Sequence, residues 1–486
     1  MIRKVLRMLS CAFLFLCSSG LNHVALAAGQ ANSCPAPETW LSSPLKPDFS
    51  KPPTHGEGGS DCPFYMASWQ SFLLAMQPDD NGKPLFLREY LSMQQLFPQL
   101  NVAQFAAAQA GMLSLAPRTV QLPNDKTLLM GAVAGARIND GFKQAGPAAG
   151  LLIDQDGYPI FYAIHVNAQY ADFIRSNNLT TKAALLAADP DKLEFPQGAV
   201  ELKSAWKIVT PEMDRSSYLI TKAVVPHLSI RNGDIVAEAR TETVDVALLA
   251  IHVVFVLKDH PEFIWSTFEH VGDYGEGVRD NAPSAADVPS KVDPTKPVSV
   301  AQWPLFKAGT PNSGANQPAM QQDRIRMFDE AKQRFARNGT VLQTSVSRMF
   351  PVSKSQGGDE DPDIVGVNQS MRENFRKVKL PPQDRRRNYQ LVGAIWMDDP
   401  SQFRSNLFLQ NQDGQTTDTP GALIAGEDRL SSTAMESFTQ SDQGGFPNCF
   451  SCHNTKRVTD NDGKLIIPAK RLNVSHVLSK FLSEGN

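Results

Sequence analysis

Apolar and polar positions alternate with two different periods along this chain, and the change of period divides it into regions. Residues 61–76 follow the helical period: Asp61 and Pro63 stand at the start, and Tyr65, Trp69, Phe72, Leu73 and Met76 form one apolar stripe. Further on, Leu151-Leu152-Ile153, the turn Asp154-Gln155-Asp156-Gly157 and the run from Ile160 to Val166 predict a β-hairpin, with Gly157 at the position that needs positive φ. Val200, Leu202, Trp206 and Ile208 alternate with Glu201, Lys203 and Lys207, the pattern of a half-buried strand. The stretch from Thr243 to Leu257 is almost wholly apolar and β-branched and belongs in the middle of a sheet, with Phe263–Val271 as the next strand. Residues 168–193 predict two short helices, so the body is expected to be α+β, with a mainly antiparallel sheet and peripheral helices.

The second half is less regular. From Glu276 to Gln322 the chain is rich in Pro, Ser, Asn, Ala and Asp, which reads as a linker or a long surface loop. A helical pattern resumes at Asp323, with Ile325, Phe328 and Phe335 on one face, then a polar loop covers Ser353–Gly366 and Tyr389–Met397 reads as a strand. Thr433-Ala434-Met435-Glu436 fits a capping box opening a short helix with Met435 and Phe438. Val474, Val477, Leu478, Phe481 and Leu482 make a second helical stripe near the end. The organisation expected is a signal segment at 1–27, a β-rich domain at 28–275, the linker at 276–322, a second part of the body at 323–425 and a short α-helical C-terminal segment at 426–486.

Residues 1–27 carry Arg3, Lys4 and Arg7, then an apolar run from Met8 to Cys17, then Ala25-Leu26-Ala27 as a small-x-small cleavage site. The expectation is a secretory signal cleaved near Ala27 and a periplasmic or secreted mature chain with no transmembrane segment. The chain has 47 Lys and Arg against 50 Asp and Glu. Removing the signal's three bases leaves 44 minus 50, or −6, which argues against a nucleic-acid partner. One local exception is basic: Arg372, Arg376, Lys377, Lys379, Arg385, Arg386 and Arg387. It reads either as a solvated loop or as a docking patch for an acidic partner or a source of propionate-pairing Arg side chains.

The chemistry sits in Cys449-Phe450-Ser451-Cys452-His453. Cys-x-x-Cys-His is the attachment pattern for a c-type haem: two thiols add to the two vinyl groups of one porphyrin, and the adjacent imidazole falls under the iron. Zinc would need a second ligand pair, and none follows the motif. A thioredoxin-like pair would need a strand-to-helix junction of a βαβ unit, which this tail does not resemble. With Cys11 and Cys17 in the signal and Cys449 and Cys452 on haem, Cys34 and Cys62 remain, and in an oxidising compartment they are expected to pair.

Over about the last sixty residues the chain resembles the c-type cytochromes, through Cys449, Cys452, His453 and the helix-like stretches on either side. Blocks at Phe195–Ile208, Phe263–His270 and Leu430–Gln440 also look like those of large secreted bacterial proteins of the cytochrome c family. The resemblance implies one covalent haem c, iron held by His453 as proximal ligand, and electron exchange with redox partner proteins in the periplasm. That family usually draws an axial Met from a loop after the motif, and here no Met follows Met435. The distal candidates are therefore His476 and Met435, with His252 and His270 behind them. On a helical wheel His476 lies nearly opposite the centre of the 474–482 stripe. Two further readings stay open: a haem peroxidase or oxygenase with an open distal side, using Glu269 or His270 for acid–base work, and a haem-based redox or gas sensor. The tail is too short to enclose a porphyrin, so the body is expected to form much of the pocket.

Overall fold

The computed structural model describes residues 34–42, 45–50, 60–97, 112–115, 119–122, 126–129, 144–145, 150–272, 286–287, 293–349, 362–407, 409–410, 422–426, 430–440, 449–459 and 464–478. The expected signal segment, the polar stretch at 353–361 and Phe481 and Leu482 of the last stripe lie outside these residues.

The fold is α+β, built on one ten-stranded, mainly antiparallel sheet. Its strands are β1 (Leu91–Ser92), β2 (Leu113–Ser114), β3 (Phe161–Val166), β4 (Val200–Ile208), β5 (Ile220–Arg231), β6 (Asp234–Leu257), β7 (His260–His270), β8 (Tyr389–Met397), β9 (Leu409–Gln410) and β10 (Ala422–Gly426). The order is β1-β3-β4-β6-β7-β8-β10-β9, with β5 on the N-terminal half of β6 and β2 on β5. Because β6 is 24 residues long, one of its edges takes β4 while the other takes β5 and then β7. The hairpin turn before β3 is as expected, with Gly157 at φ +85°.

The apolar run in β6 is continuous because both faces of the sheet are covered and because its alternation changes phase. Ala205 pairs with Ala250 and Trp206 with Leu248, so Leu249 is an extra residue that bulges. Val246 and Leu248 before the bulge, and Ile251, Val253 and Phe255 after it, enter one core; Leu249, Ala250, Val254 and Val256 face the other side.

The first face is covered by helices α1 (Cys62–Ala75) and α3 (Pro362–Lys377), whereas α2 (Ala168–Ser176) contributes to the second. Helix α1 is apolar nearly all round, as a buried helix must be. Phe64 stacks on Trp396 at 3.9 Å and Phe72 on Phe268 at 4.1 Å. Trp69 donates its indole N–H to Asn368 Oδ1 (3.0 Å), and Asn368 Nδ2 donates to the Leu391 carbonyl (2.9 Å), tying α1, α3 and β8 together. Cys34 and Cys62 form a disulfide that fixes the segment around Ala36 to the start of α1. No helix among the described residues is long and apolar enough to cross a membrane.

Four local expectations are revised. The helix near Asp323 spans Gln321–Met327 and stops there, and Phe328 and Phe335 meet across neighbouring antiparallel strands of a small three-stranded sheet. Residues 293–322, expected as a linker or a long surface loop, are an irregular surface segment anchored to the body and not a free linker: Trp303, Phe306 and Ala315 form a small core, and Val346 N donates to the Leu305 carbonyl (2.8 Å). That segment pairs through isolated bridges and side chains, which leave no sequence period. Within the basic stretch, Arg372, Arg376 and Lys377 sit on α3, while Arg386 is buried in a forked ion pair with Asp384 (2.6 Å). The expected helix at 433–438 is a series of turns, for reasons given below.

Candidate cofactor site

The motif forms a single helical turn, α4 (Cys449–Cys452), extended by the His453 N–H donating to the Cys449 carbonyl (2.8 Å). Residues three apart share a helix face, so the two cysteines project together. Phe450 between them is fully buried with Trp265, Ile395, Leu472, Val474, Val477 and Leu478, which fixes the turn on the second face of the sheet. Cys449 is half-buried, Cys452 is exposed, and the two are not bridged. Burial pushes the Cys449 thiol pKa well up, with Glu436 and Cys452 adding to it and Lys203 opposing.

His453 is held by a hydrogen bond and by ring contacts. Its Nδ1 lies 2.9 Å from the Val474 carbonyl. A carbonyl only accepts, so the proton sits on Nδ1 and the lone pair on Nε2, the tautomer of a metal-binding imidazole with a hydrogen-bonded back. The Trp265 ring lies 4.1 Å from the imidazole centroid, inclined at 41°. Trp265 is anchored by its indole N–H to the Glu262 carbonyl (3.1 Å).

The two distal candidates of the tail stand elsewhere than opposite His453. His476 stacks beside it, centroids 3.9 Å apart and planes 23° apart, with its Nε2 3.2 Å from the Cys452 carbonyl. Metal–imidazole bonds are about 2 Å, so two imidazoles trans on one metal have ring centres about 6 Å apart. Stacked rings at the observed spacing lie on the same side. The local cause is Ser475: residues 471–474 are a 3₁₀ turn, and the Ser475 hydroxyl bonds Tyr170 (2.8 Å) and Glu201 (2.7 Å) and accepts from the Val477 N–H (3.3 Å), so the helical residues 476–478 start only at His476, which is turned toward the motif. Met435 is buried among Leu152, Ile160, Tyr162 and Leu249, as an ordinary core side chain.

Glu269 and His270 are both engaged in structure. Glu269 accepts from Arg348 Nη2 (2.5 Å) and from the Thr433 N–H and hydroxyl (2.9 Å each), all of them buried. His270 stacks on Tyr218 at 3.7 Å with Nε2 near the Ser217 carbonyl (3.2 Å), and burial lowers its pKa to about 3.

His252 has a different setting. On the second face of β6 it falls between Ala250, in the cluster with Met435, and Val254, in the cluster with Phe450. Lys203 pairs with it across one edge and Thr267 across the other. Its Nδ1 meets Thr267 Oγ1 (2.9 Å), and its Nε2 meets both oxygens of Glu436 (3.0 and 3.1 Å), with Lys203 Nζ 3.9 Å from the same carboxylate. Burial would raise the Glu436 pKa, but His252, Lys203 and the Ser432 N–H outweigh it and hold the carboxyl at about 2. The Glu436 side chain is 34 % exposed although it lies over the sheet, so solvent reaches this polar strip beside Cys449.

The strip explains the missing helix. Thr433, expected as the cap, gives its hydroxyl to Glu269, while Glu436 accepts from Ser432 N (3.0 Å) and from His252. The sequence signal at these positions was capping chemistry, and the sheet recruited the same groups.

The donor set fits a covalently held haem: two thiols on one face of a turn, an Nδ1-protonated imidazole and an aromatic wall behind it. Among the described residues no three His, Cys, Asp or Glu side chains converge as a metal-ion cage. Trp265, the Val474 carbonyl, Glu436 and Lys203 were not legible as site residues, whereas His252 was among the distal candidates. No protein-family model matches this chain, and no curated protein or solved structure is significantly similar to it.

Proposed function

We propose that this chain is a monohaem c-type protein of an oxidising compartment outside the cytoplasmic membrane, and that it transfers electrons between redox partner proteins. The observation that carries the reading is the arrangement of His453, with Nδ1 on the Val474 carbonyl and the ring against Trp265, directly after two cysteines one helical turn apart. Haem iron supplies reversible one-electron exchange between Fe(II) and Fe(III). The residues of the chain do the rest. Cys449 and Cys452 would tether the group, His453 would coordinate it through Nε2, and the Val474 carbonyl keeps the imidazole proton on Nδ1 and raises the basicity of the other nitrogen. The apolar cluster under Phe450 keeps water from the back of the site. The Cys34–Cys62 disulfide agrees with an oxidising compartment.

Electron transfer is favoured over peroxidase or oxygenase chemistry because Glu269 and His270, the acid–base groups such an enzyme would draw on, are buried in structural contacts. The exposed Arg376, Lys377 and Lys379 offer a positive surface for an acidic partner. Export of the chain in a bacterial host with the haem-attachment machinery tests the reading. One haem that survives denaturation and acid–acetone extraction supports it, and a haem-free product of the exported chain sinks it.

A further inference from the structure

We infer that His252, presented by the central strand of the sheet, is the second axial ligand of the haem, making the site bis-histidine with one ligand from the tail and one from the body. The inference rests on the haem reading above and adds the ligand's identity.

Register on the second sheet face carries the argument. Trp265 and Thr267 are two residues apart on β7 and point to the same face, about 7 Å from one another at the usual strand rise. His453 lies over Trp265, and His252 is bonded to Thr267. The two imidazoles therefore stand over neighbouring positions of one sheet face, His453 brought by the tail and His252 by the sheet itself. Cys449 lies on the same side, packed against the cluster that holds Val254 and Trp265. A group tethered there would lie along the polar strip between the two apolar clusters.

His252 is also prepared for the role. The hydroxyl of Thr267 backs its Nδ1 at 2.9 Å, as the Val474 carbonyl backs that of His453, which leaves Nε2 as the outward nitrogen. That nitrogen now donates to Glu436. To coordinate as a neutral imidazole, His252 would move its proton from Nε2 to Nδ1, where the N–H would donate to Thr267 Oγ1, and the Nε2 lone pair would be free to bind iron. Glu436 keeps Lys203 and the Ser432 N–H as partners, so its charge stays compensated. The competing donors are placed away from this position: His476 is stacked on the proximal ring and Met435 is packed in the core.

The test is spectroscopic and uses the full chain matured with haem. Wild type is expected to be low-spin in both oxidation states and not to bind carbon monoxide when reduced. His252→Ala, and the closer isostere His252→Gln, should become high-spin and bind carbon monoxide at one equivalent, and added imidazole should restore the low-spin spectrum of His252→Ala. His476→Ala and Met435→Leu should leave the spectrum of wild type unchanged. The assignment is overturned if wild type itself binds carbon monoxide, or if the His252 variants stay low-spin. The wild-type measurement alone decides the first point should the variants fail to fold. A product lacking covalent haem overturns the functional reading as well, which separates the two failures.

Discussion

Replacing Glu269 by Ala should be among the most damaging single changes to this fold. The carboxylate is fully buried and receives Arg348 Nη2 at 2.5 Å, the Thr433 N–H at 2.9 Å and the Thr433 hydroxyl at 2.9 Å. Arg348 is 1 % exposed, so the substitution takes the carboxylate from a guanidinium that water does not reach. Breaking a buried pair from one side costs about 3–5 kcal/mol. The two Thr433 donors add about 1 kcal/mol or more each where they find no substitute. Since these terms share one carboxylate they do not sum, and a loss of about 4–5 kcal/mol is expected, a large fraction of a typical domain's stability. Urea unfolding followed by tryptophan fluorescence measures it, and Arg348→Met with the double variant completes a cycle. The double variant should be less damaged than the sum of the singles by about 1–3 kcal/mol. Hydrogen exchange at residues 432–436 should also accelerate in Glu269→Ala, because Thr433 anchors the segment that carries Glu436 over the site. A loss below about 1 kcal/mol, or a cycle additive within about 0.5 kcal/mol, would refute the reasoning.

Two further outcomes follow from the body. Burial holds the pKa of His270 at about 3 and of His165 at about 4, both below the usual 6.5. The unfolded chain takes up those protons first, so their contribution is whole above pH 6.5 and falls as pH drops through that value toward 4 and 3, by about 1.4 kcal/mol per pH unit per histidine. Asp154, raised by burial to about 6, works in the opposite sense, its contribution fading as pH rises through that value. The pH slope of stability between 6.5 and 4.5 should accordingly be shallower in His165→Gln than in wild type, and equal slopes would contradict the assignment. The Cys34–Cys62 bridge closes a span of 28 residues, and loop-closure entropy gives it about 3.5 kcal/mol, so Cys34→Ser/Cys62→Ser should lower the urea midpoint markedly. An unchanged midpoint would show that Ala36, Ser370 and Asn374 anchor this segment without it.

The sequence made strands and the buried helix legible where one period dominates. The β-branched run ending at Leu257 and the all-round apolar α1 are such cases, and so is the pairing of Cys34 with Cys62, which followed from counting cysteines. It misled where side chains had a choice of partner. Thr433 and Glu436 carry a capping pattern, but the buried Glu269 takes the Thr433 hydroxyl and a histidine on β6 takes Glu436, and tertiary contacts prevail over a local cap worth about 1 kcal/mol. Ser475 likewise stands just before the last helical residues rather than within them, its hydroxyl shared among Tyr170, Glu201 and the Val477 N–H. The back of His453 is a main-chain carbonyl, which any residue at position 474 would supply, so no side-chain pattern could announce it. Trp265 is legible as an inward strand position, while its role as the wall behind His453 depends on where a segment nearly 200 residues later comes to rest.

Covalent attachment of one haem at Cys449 and Cys452 beside His453, as proposed, is read from the haemochrome spectrum of the denatured exported protein. One haem per chain with the two-thioether spectrum is expected, reduced to a single-thioether form in Cys449→Ser or Cys452→Ser and lost when both are replaced. Haem that washes away from wild type on denaturation, or that remains attached in the double variant, would contradict it.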